Sequence, residues 1–237
     1  MRAGDLVVEV GAGTGMLTRA LARTGAKVVA LELDPVLARA LRASPQLRGV
    51  EIVEADALDW SWPSVEFAVV ANLPFSRSGA ILGRLLSDPL VPLRRADVIV
   101  QWELAAKQTA VWPATLKSTL WRAWYDLTVS RRLARAAFSP IPAVDAAVLE
   151  ATRRREPLVP GAEHHAYRRF LAAAFDGGGP PGRLSPRLSR VEVKRLAPVL
   201  GFDPHARPRD LDAQQWAALF AFACRSGAGS ARQVRWK

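Results

Sequence analysis

Glu9-Val10-Gly11-Ala12-Gly13-Thr14-Gly15 follows the apolar run Leu6–Val10 and leads into Met16–Arg23, where apolar residues recur three and four apart. A strand that turns through glycines into a helix is the opening unit of a doubly wound sheet. The missing side chains there let the backbone approach a ligand that a Cβ would hold off. Working outward, β-branched runs recur at Val28–Leu33, Val50–Glu54, Phe67–Ala71 and Val98–Trp102, with a second amphipathic stretch at Pro35–Ala43. This alternation predicts five buried parallel strands covered by helices. Leu120–Leu133 and Ala146–Thr152 read as two further strands that extend the sheet as an antiparallel edge pair. The expected fold is therefore α/β, Rossmann-like, with a seven-strand mixed sheet.

After Arg153-Arg154-Arg155 the pattern changes. Pro157 and Pro160 interrupt the chain, and helical segments are expected near Glu163–Phe175, Ser189–Leu200 and Asp212–Cys224. This places a catalytic domain over residues 1–156, a small C-terminal helical domain over 157–225 and a basic tail over 226–237. Gly177–Gly182 reads as a flexible loop.

Composition narrows the classes. The 237 residues are 50% hydrophobic and 23% charged, and no apolar run nears the roughly 20 residues a membrane helix requires. Neither a membrane protein nor an exported one is expected. Cys224 is the sole cysteine, which excludes an intramolecular disulfide and a cysteine zinc site and fits a reducing cytoplasm. His164, His165 and His205 are too few and too bunched for a metal centre, so no metal is expected. The formal charge of +11, carried by 28 arginines and 5 lysines, points to a polyanionic partner.

The glycine spacing is G-x-G-x-G headed by the acidic Glu9, whereas the dinucleotide fingerprint is G-x-G-x-x-G. That difference favours S-adenosylmethionine over NAD. Glu32 ends the second strand, where a carboxylate accepts hydrogen bonds from both ribose hydroxyls of such a cofactor. Asp56, after the third strand, is placed to accept from the adenine amino group. The neighbours Ala12, Leu33 and Ala57 complete the expected cofactor lining with Gly11, Gly13 and Asn72. Singly, each of these residues has an ordinary structural use, as turn, cap or solvated carboxylate. Their order at the carboxyl ends of successive strands is what points to a ligand crevice.

The fourth strand ends in Ala71-Asn72-Leu73-Pro74-Phe75. An exocyclic adenine amine is a poor nucleophile because its lone pair is delocalised into the ring. The Asn72 side-chain oxygen and the Leu73 carbonyl can accept its two hydrogens and favour a tetrahedral nitrogen. Pro74 fixes the local dihedral, and Phe75 offers a face on which an extruded base stacks. The alternative use of the motif is a strand-ending turn with a core aromatic. For Trp102, Trp112, Trp121 and Trp124, which interleave with cations, an aromatic core is the expected use of most.

The series Glu9–Gly15, Glu32, Asp56, Asn72–Phe75 and Phe138-Ser139-Pro140-Ile141-Pro142-Ala143-Val144-Asp145 resembles the ribosomal RNA adenine N6-methyltransferases, a class I methyltransferase family. Val100–Lys107, Trp121–Tyr125 and Asp210–Trp216 are most similar to the Erm-type enzymes of actinobacteria. That resemblance implies methyl transfer to one adenine of 23S rRNA, free or in an assembling large subunit, and resistance to macrolide, lincosamide and streptogramin B antibiotics. A monomer is expected. The KsgA-type small-subunit rRNA enzymes share the glycine loop and Asn-Leu-Pro, so these motifs leave that alternative open. A non-catalytic rRNA-binding remnant is a third. The resemblance further implies that Phe138 closes the pocket over the base. Arg77, Arg131, Arg132, Arg135, Arg153 and Arg154, with the neighbouring Arg155, are the expected phosphate contacts. Relatives carry a segment before the first strand with a Gln-Asn-Phe-like motif that helps cover the cofactor. Here Met1–Asp5 stand directly before that strand. A start codon placed too late is favoured over natural truncation, and weak cofactor binding is expected of the chain as given.

Overall fold

The structure is a computed structural model and describes residues 2–176, 184 and 187–230. It divides into two units, Met1–Thr109 with Tyr125–Arg154, and Ala110–Trp124 with Arg155–Lys237.

In the first unit the strands β1 (Leu6–Val10), β2 (Lys27–Glu32), β3 (Glu51–Glu54), β4 (Phe67–Asn72), β5 (Leu93–Gln101), β6 (Tyr125–Leu133) and β7 (Ala146–Arg153) form one sheet. Its order is β3-β2-β1-β4-β5-β7-β6. The first five strands are parallel, and β7 runs antiparallel to both of its neighbours. Strand order reverses between β1 and β4, so the crevice of an open sheet lies at their carboxyl ends. The central strands are apolar on both faces because helices cover both, and Val7, Val8, Ala68 and Val69 are fully buried. On β2, Val28 and Ala30 share one face; Val28 packs with Leu21 of α1 (Met16–Ala22) and Ala30 with Leu41 of α2 (Pro35–Ala43). Asp34 caps α2 by accepting from the Val36 and Leu37 N–H groups, and Pro35 occupies the first turn, where its missing donor costs nothing.

Two more helices, α3 (Ser78–Leu86) and α4 (Trp102–Thr109), follow β4 and β5. Neither helix is expected from the sequence, and β5 begins five residues before the expected Val98, because Arg94, Arg95 and Asp97 look unlike a buried strand. The charges are neutralised in place: Arg95 pairs with Asp97 at 2.7 Å and with Glu150 of β7 at 2.8 Å.

The chain enters the second unit at Arg155, next to the expected boundary at residue 156, but this unit also takes in the earlier segment Ala110–Trp124. Leu120–Leu133 is not one strand. Residues Leu116–Arg122 form a helix, α5, capped by Thr115 and Ser118, and only Tyr125–Leu133 is strand. Helix α5 belongs with α6 (His164–Phe175), α7 (Arg190–Leu200) and α8 (Ala213–Ser230), so the helical unit is built from two separate segments of chain. Its core is aromatic. Tyr167 meets Trp124 and Phe220 edge-on at 5.9 and 5.2 Å, and Phe170 meets Trp216 at 5.9 Å. The indole N–H of Trp124 donates to the Val159 carbonyl at 2.8 Å, so this buried ring keeps its polar group satisfied. Trp121 and Trp124 are thus core residues, whereas Trp112 is exposed. Helix α8 extends through the first residues of the expected tail; residues 231–237 and the Gly177–Gly182 loop lie outside the described residues. No helix among the described residues is long and apolar enough to cross a membrane.

Candidate active site

The glycine loop joins β1 to α1, and its three glycines serve three purposes. All take positive φ, 74°, 57° and 80° for Gly11, Gly13 and Gly15. A Cβ on Gly15 would stand 2.6 Å from Leu41 Cδ2, so this glycine lets the loop pack against α2. A Cβ on Gly11 would come within 3.8 Å of the Asn72 carbonyl oxygen and 3.9 Å of Pro74 Cδ, filling the space between the loop and the end of β4. Gly13 faces open space. The loop is held by its own backbone, with the Gly11 and Ala12 N–H groups donating to the Leu31 carbonyl at 2.9 and 3.0 Å.

Glu32 completes this frame at the end of β2. Its Oε2 accepts from the Gly13 N–H at 2.7 Å and its Oε1 from the Asp34 N–H at 2.9 Å. Each oxygen of an ionised carboxylate has about two acceptor sites, so both retain one for a ligand. The loop cradle and this residual capacity fit the ribose and backbone of S-adenosylmethionine. Leu33 beside it is 56% exposed, whereas Ala12 and Ala57 are buried.

Glu9 lies on β1 directly below the loop and is 1% exposed. Burial pushes its carboxyl up to about 7; Thr18 beside it offsets part of that, and the Glu32 carboxylate adds to it. Glu9 Oε2 and Thr18 Oγ1 have no well-formed hydrogen bond among the described residues.

Asn72 is the last residue of β4, next to β1 on one side and paired with Ile99 of β5 on the other. The Leu73 N–H continues that pairing, donating to the Ile99 carbonyl at 3.1 Å, while the Leu73 side chain is buried. The Asn72 side chain is exposed, and its carboxamide makes no hydrogen bond among the described residues. The Leu73 carbonyl accepts none of the loop hydrogen bonds. The Pro74 carbonyl accepts from the Arg77 and Ser78 N–H groups at 2.9 and 3.0 Å and starts α3. Two acceptors therefore stand unused at the mouth of the glycine crevice. Phe75 is half-buried beside them. Phe138, also half-buried, lies on the segment between the end of β6 and the start of β7, at the same carboxyl edge of the sheet.

The charged candidates are arranged differently from the sequence expectation. Asp56 and Arg77, expected on cofactor and RNA respectively, pair with each other at 2.7 Å. The Leu58 N–H donates to Asp56 Oδ1 at 2.8 Å, and this bond, followed by Arg77, holds the carboxyl below the usual range. Arg153 is a strut within the sheet unit. Its guanidinium donates to the carbonyls of Leu93, Pro89 and Val91 at 2.9, 2.7 and 2.6 Å and stacks 5.6 Å from the Tyr125 ring. Arg154 pairs with Asp126 at 2.7 Å. Arg132 pairs with Asp145 at 2.9 Å, and Arg135 reaches the same carboxylate at 4.0 Å. Arg131 alone of the six is exposed with no ion pair among the described residues. The sequence showed the sign of these charges and hid their partners. Trp102, named in the sequence only among tryptophans expected mostly as core, and Asp145, named only as the end of the Phe138–Asp145 run, stand at the root of the Phe138 segment.

A sequence model of the family described as "Ribosomal RNA adenine dimethylase" matches residues 1–180. The chain is similar to the mycinamicin-resistance protein MyrB of Micromonospora griseorubida, 35% identical over 219 residues that cover 90% of this chain and 68% of that protein. It is 37% identical over 206 residues to an rRNA methyltransferase of Streptomyces thermotolerans, covering 82% of this chain and 64% of that one. Its structure resembles the crystal structure of the 23S rRNA methyltransferase ErmE, with a TM-score of 0.81 at 29% identity, over 93% of this chain and 91% of that one.

Proposed function

The chain belongs to the ribosomal RNA adenine dimethylase family, and from that membership we propose that it transfers a methyl group to N6 of one adenine in 23S rRNA, protecting the ribosome from macrolide, lincosamide and streptogramin B antibiotics. The observation that carries this reading is the pair of unused acceptors at the tip of β4, against the Gly11 turn. Its fold is that of the class I methyltransferases.

S-adenosylmethionine, when bound, supplies an electrophilic methyl group. The chain's own residues bind and orient. Gly11 and Gly13 leave the crevice open to backbone approach, Glu32 accepts from ribose hydroxyls, and Leu33 offers an apolar face to the adenine ring. Asp56 retains acceptor capacity for the adenine amino group beside its bonds to Leu58 and Arg77. The Asn72 carboxamide oxygen and the Leu73 carbonyl accept hydrogen bonds from the two N–H groups of the target amine and turn its lone pair toward the crevice; the proton displaced by the incoming methyl group leaves to solvent. The Leu73 carbonyl is fixed before substrate arrives, by the backbone bond of Leu73 to Ile99 and by Pro74, and the same strand end carries the Asn72 side chain, so little backbone reorganisation is needed at the reaction. The rings of Phe75 and Phe138 hold the base once it leaves its stack.

RNA affinity rests on fewer of the arginines than their number implies. Arg131 is the candidate exposed without an ion pair among the described residues, and the helical unit adds the rest. Arg131→Ala should leave thermal stability unchanged and reduce the slope of log affinity against log salt by about 1. Arg153→Met should do the opposite, costing roughly 1.5–3 kcal/mol for its charged hydrogen bonds with no change in the salt slope. Urea unfolding and filter binding across a salt series measure both; a flatter slope for the Arg153 variant at undiminished stability would contradict its assignment as a strut.

The glycine loop and Asn-Leu-Pro are shared with enzymes of small-subunit rRNA, so the reaction is tested on both RNAs. Labelled methyl transfer to protein-free 23S and 16S rRNA, followed by mass spectrometry of the fragments, should place N6-methyladenine in 23S rRNA. Label confined to 16S rRNA assigns the chain to the small-subunit branch. Specific RNA binding with no transfer identifies a remnant.

A further inference from the structure

The segment Ala134–Asp145 joins β6 to β7 and carries Phe138. It includes Pro140 and Pro142, which have no N–H to donate, and its own backbone bonds are confined to the first turn, Ala137 to Ala134 and Phe138 to Arg135. Its middle is open to water, with Ile141 69% exposed. Such a segment has no ladder to fix where its aromatic side chain stands.

Its two ends, however, are fastened to each other and to β5. Asp145 is bound through both its side chain and its main chain. Arg132 Nη2 donates to Asp145 Oδ2 at 2.9 Å, Arg135 Nε stands 4.0 Å from Oδ1, and the Asp145 carbonyl accepts from the Trp102 N–H at 2.9 Å. The Arg132 guanidinium lies over the Trp102 ring at 4.5 Å. Arg135 also donates to the Ala143 carbonyl at 3.3 Å, tying the first turn of the segment to its last residues. Trp102 directly follows β5, whose Ile99 pairs with Asn72.

We propose that Trp102, Arg132 and Asp145 form a clamp that positions the Phe138 segment relative to the amine acceptors of Asn72, and that Arg132 is a positioning residue rather than a phosphate contact. This rests on the reading that Phe138 meets the target base. An exposed ion pair contributes little to stability, but here one carboxylate, one guanidinium and one indole fix three different elements, so what the pairing supplies is orientation. Catalysis is sensitive to that orientation.

The two roles of Arg132 make opposite predictions for Asp145→Asn. If Arg132 is a phosphate contact, removing its partner frees it, and RNA binding tightens. If it belongs to a clamp, RNA affinity and its salt slope stay as they are, and the single-turnover rate of methyl transfer falls by about 10-fold to 10²-fold. Base extrusion, read from 2-aminopurine at the target position, becomes less complete. Arg132→Lys keeps the charge and loses the planar stack, so it should share the defect, while Trp102→Phe, which keeps an aromatic face, should retain more activity than Trp102→Leu. An Asp145→Asn enzyme that binds RNA more tightly and transfers at the normal rate overturns the clamp. If Phe138→Ala is slow while Asp145→Asn is normal, the clamp fails and the role of Phe138 stands. If Phe138→Ala is itself normal, that role fails and the clamp with it.

Discussion

Asn72→Ala is expected to lower the single-turnover rate of methyl transfer by about 10²–10³-fold, the usual cost of removing one polar group aimed at developing charge. RNA affinity should stay essentially unchanged, because the amide acts on the amine as its nitrogen becomes tetrahedral and contributes little before that point. The structure gives this prediction its force. The Asn72 side chain supports nothing in the fold: it is exposed, it forms no hydrogen bond among the described residues, and the strand is held by its backbone pairing with Ile99 and by Leu73. Truncation therefore should not disturb stability, and a loss of rate reports chemistry. Labelled methyl transfer and a urea melt on the same preparation make the comparison. A rate within a few-fold of the unaltered enzyme would remove Asn72 from the reaction, and a loss of rate that follows a loss of stability would make it structural.

The glycine loop and its surrounding strands were readable from sequence because the loop is made largely of backbone. Gly11, Gly13 and Gly15 mark positive φ, and the strands around them are short β-branched runs whose ends the structure places within a residue or so. Helix α3 escaped because Ser78–Leu86 has no capping side chain and contains Gly79 and Gly83, both poor helix formers. Helix α5 was read as strand because Leu120 and Trp121 lie beside the strand that follows, and a short apolar run does not reveal its period. The partners of the arginines were hidden for a different reason. Whether a cation is available to RNA depends on which carboxylate or carbonyl the fold brings to it. Asp56 is 21 residues from Arg77, and the Leu93 carbonyl is 60 residues from Arg153. No local pattern encodes those distances.

The second large effect concerns Glu9. In an unfolded chain this carboxyl titrates near 4.5, and in the fold burial raises it to about 7. Between those values the folded state holds a proton that the unfolded state has released. Stability from this group is thus present at low pH, declines as pH rises above the unfolded value, and is fully lost above about 7, a total of roughly 3 kcal/mol. Glu9→Gln removes the titration while keeping the shape. Relative to the unaltered protein, the variant should gain up to about 3 kcal/mol between mildly acidic and mildly alkaline solution. Urea unfolding of both proteins across that range makes the measurement, and parallel profiles would show that Glu9 ionises as it does in water.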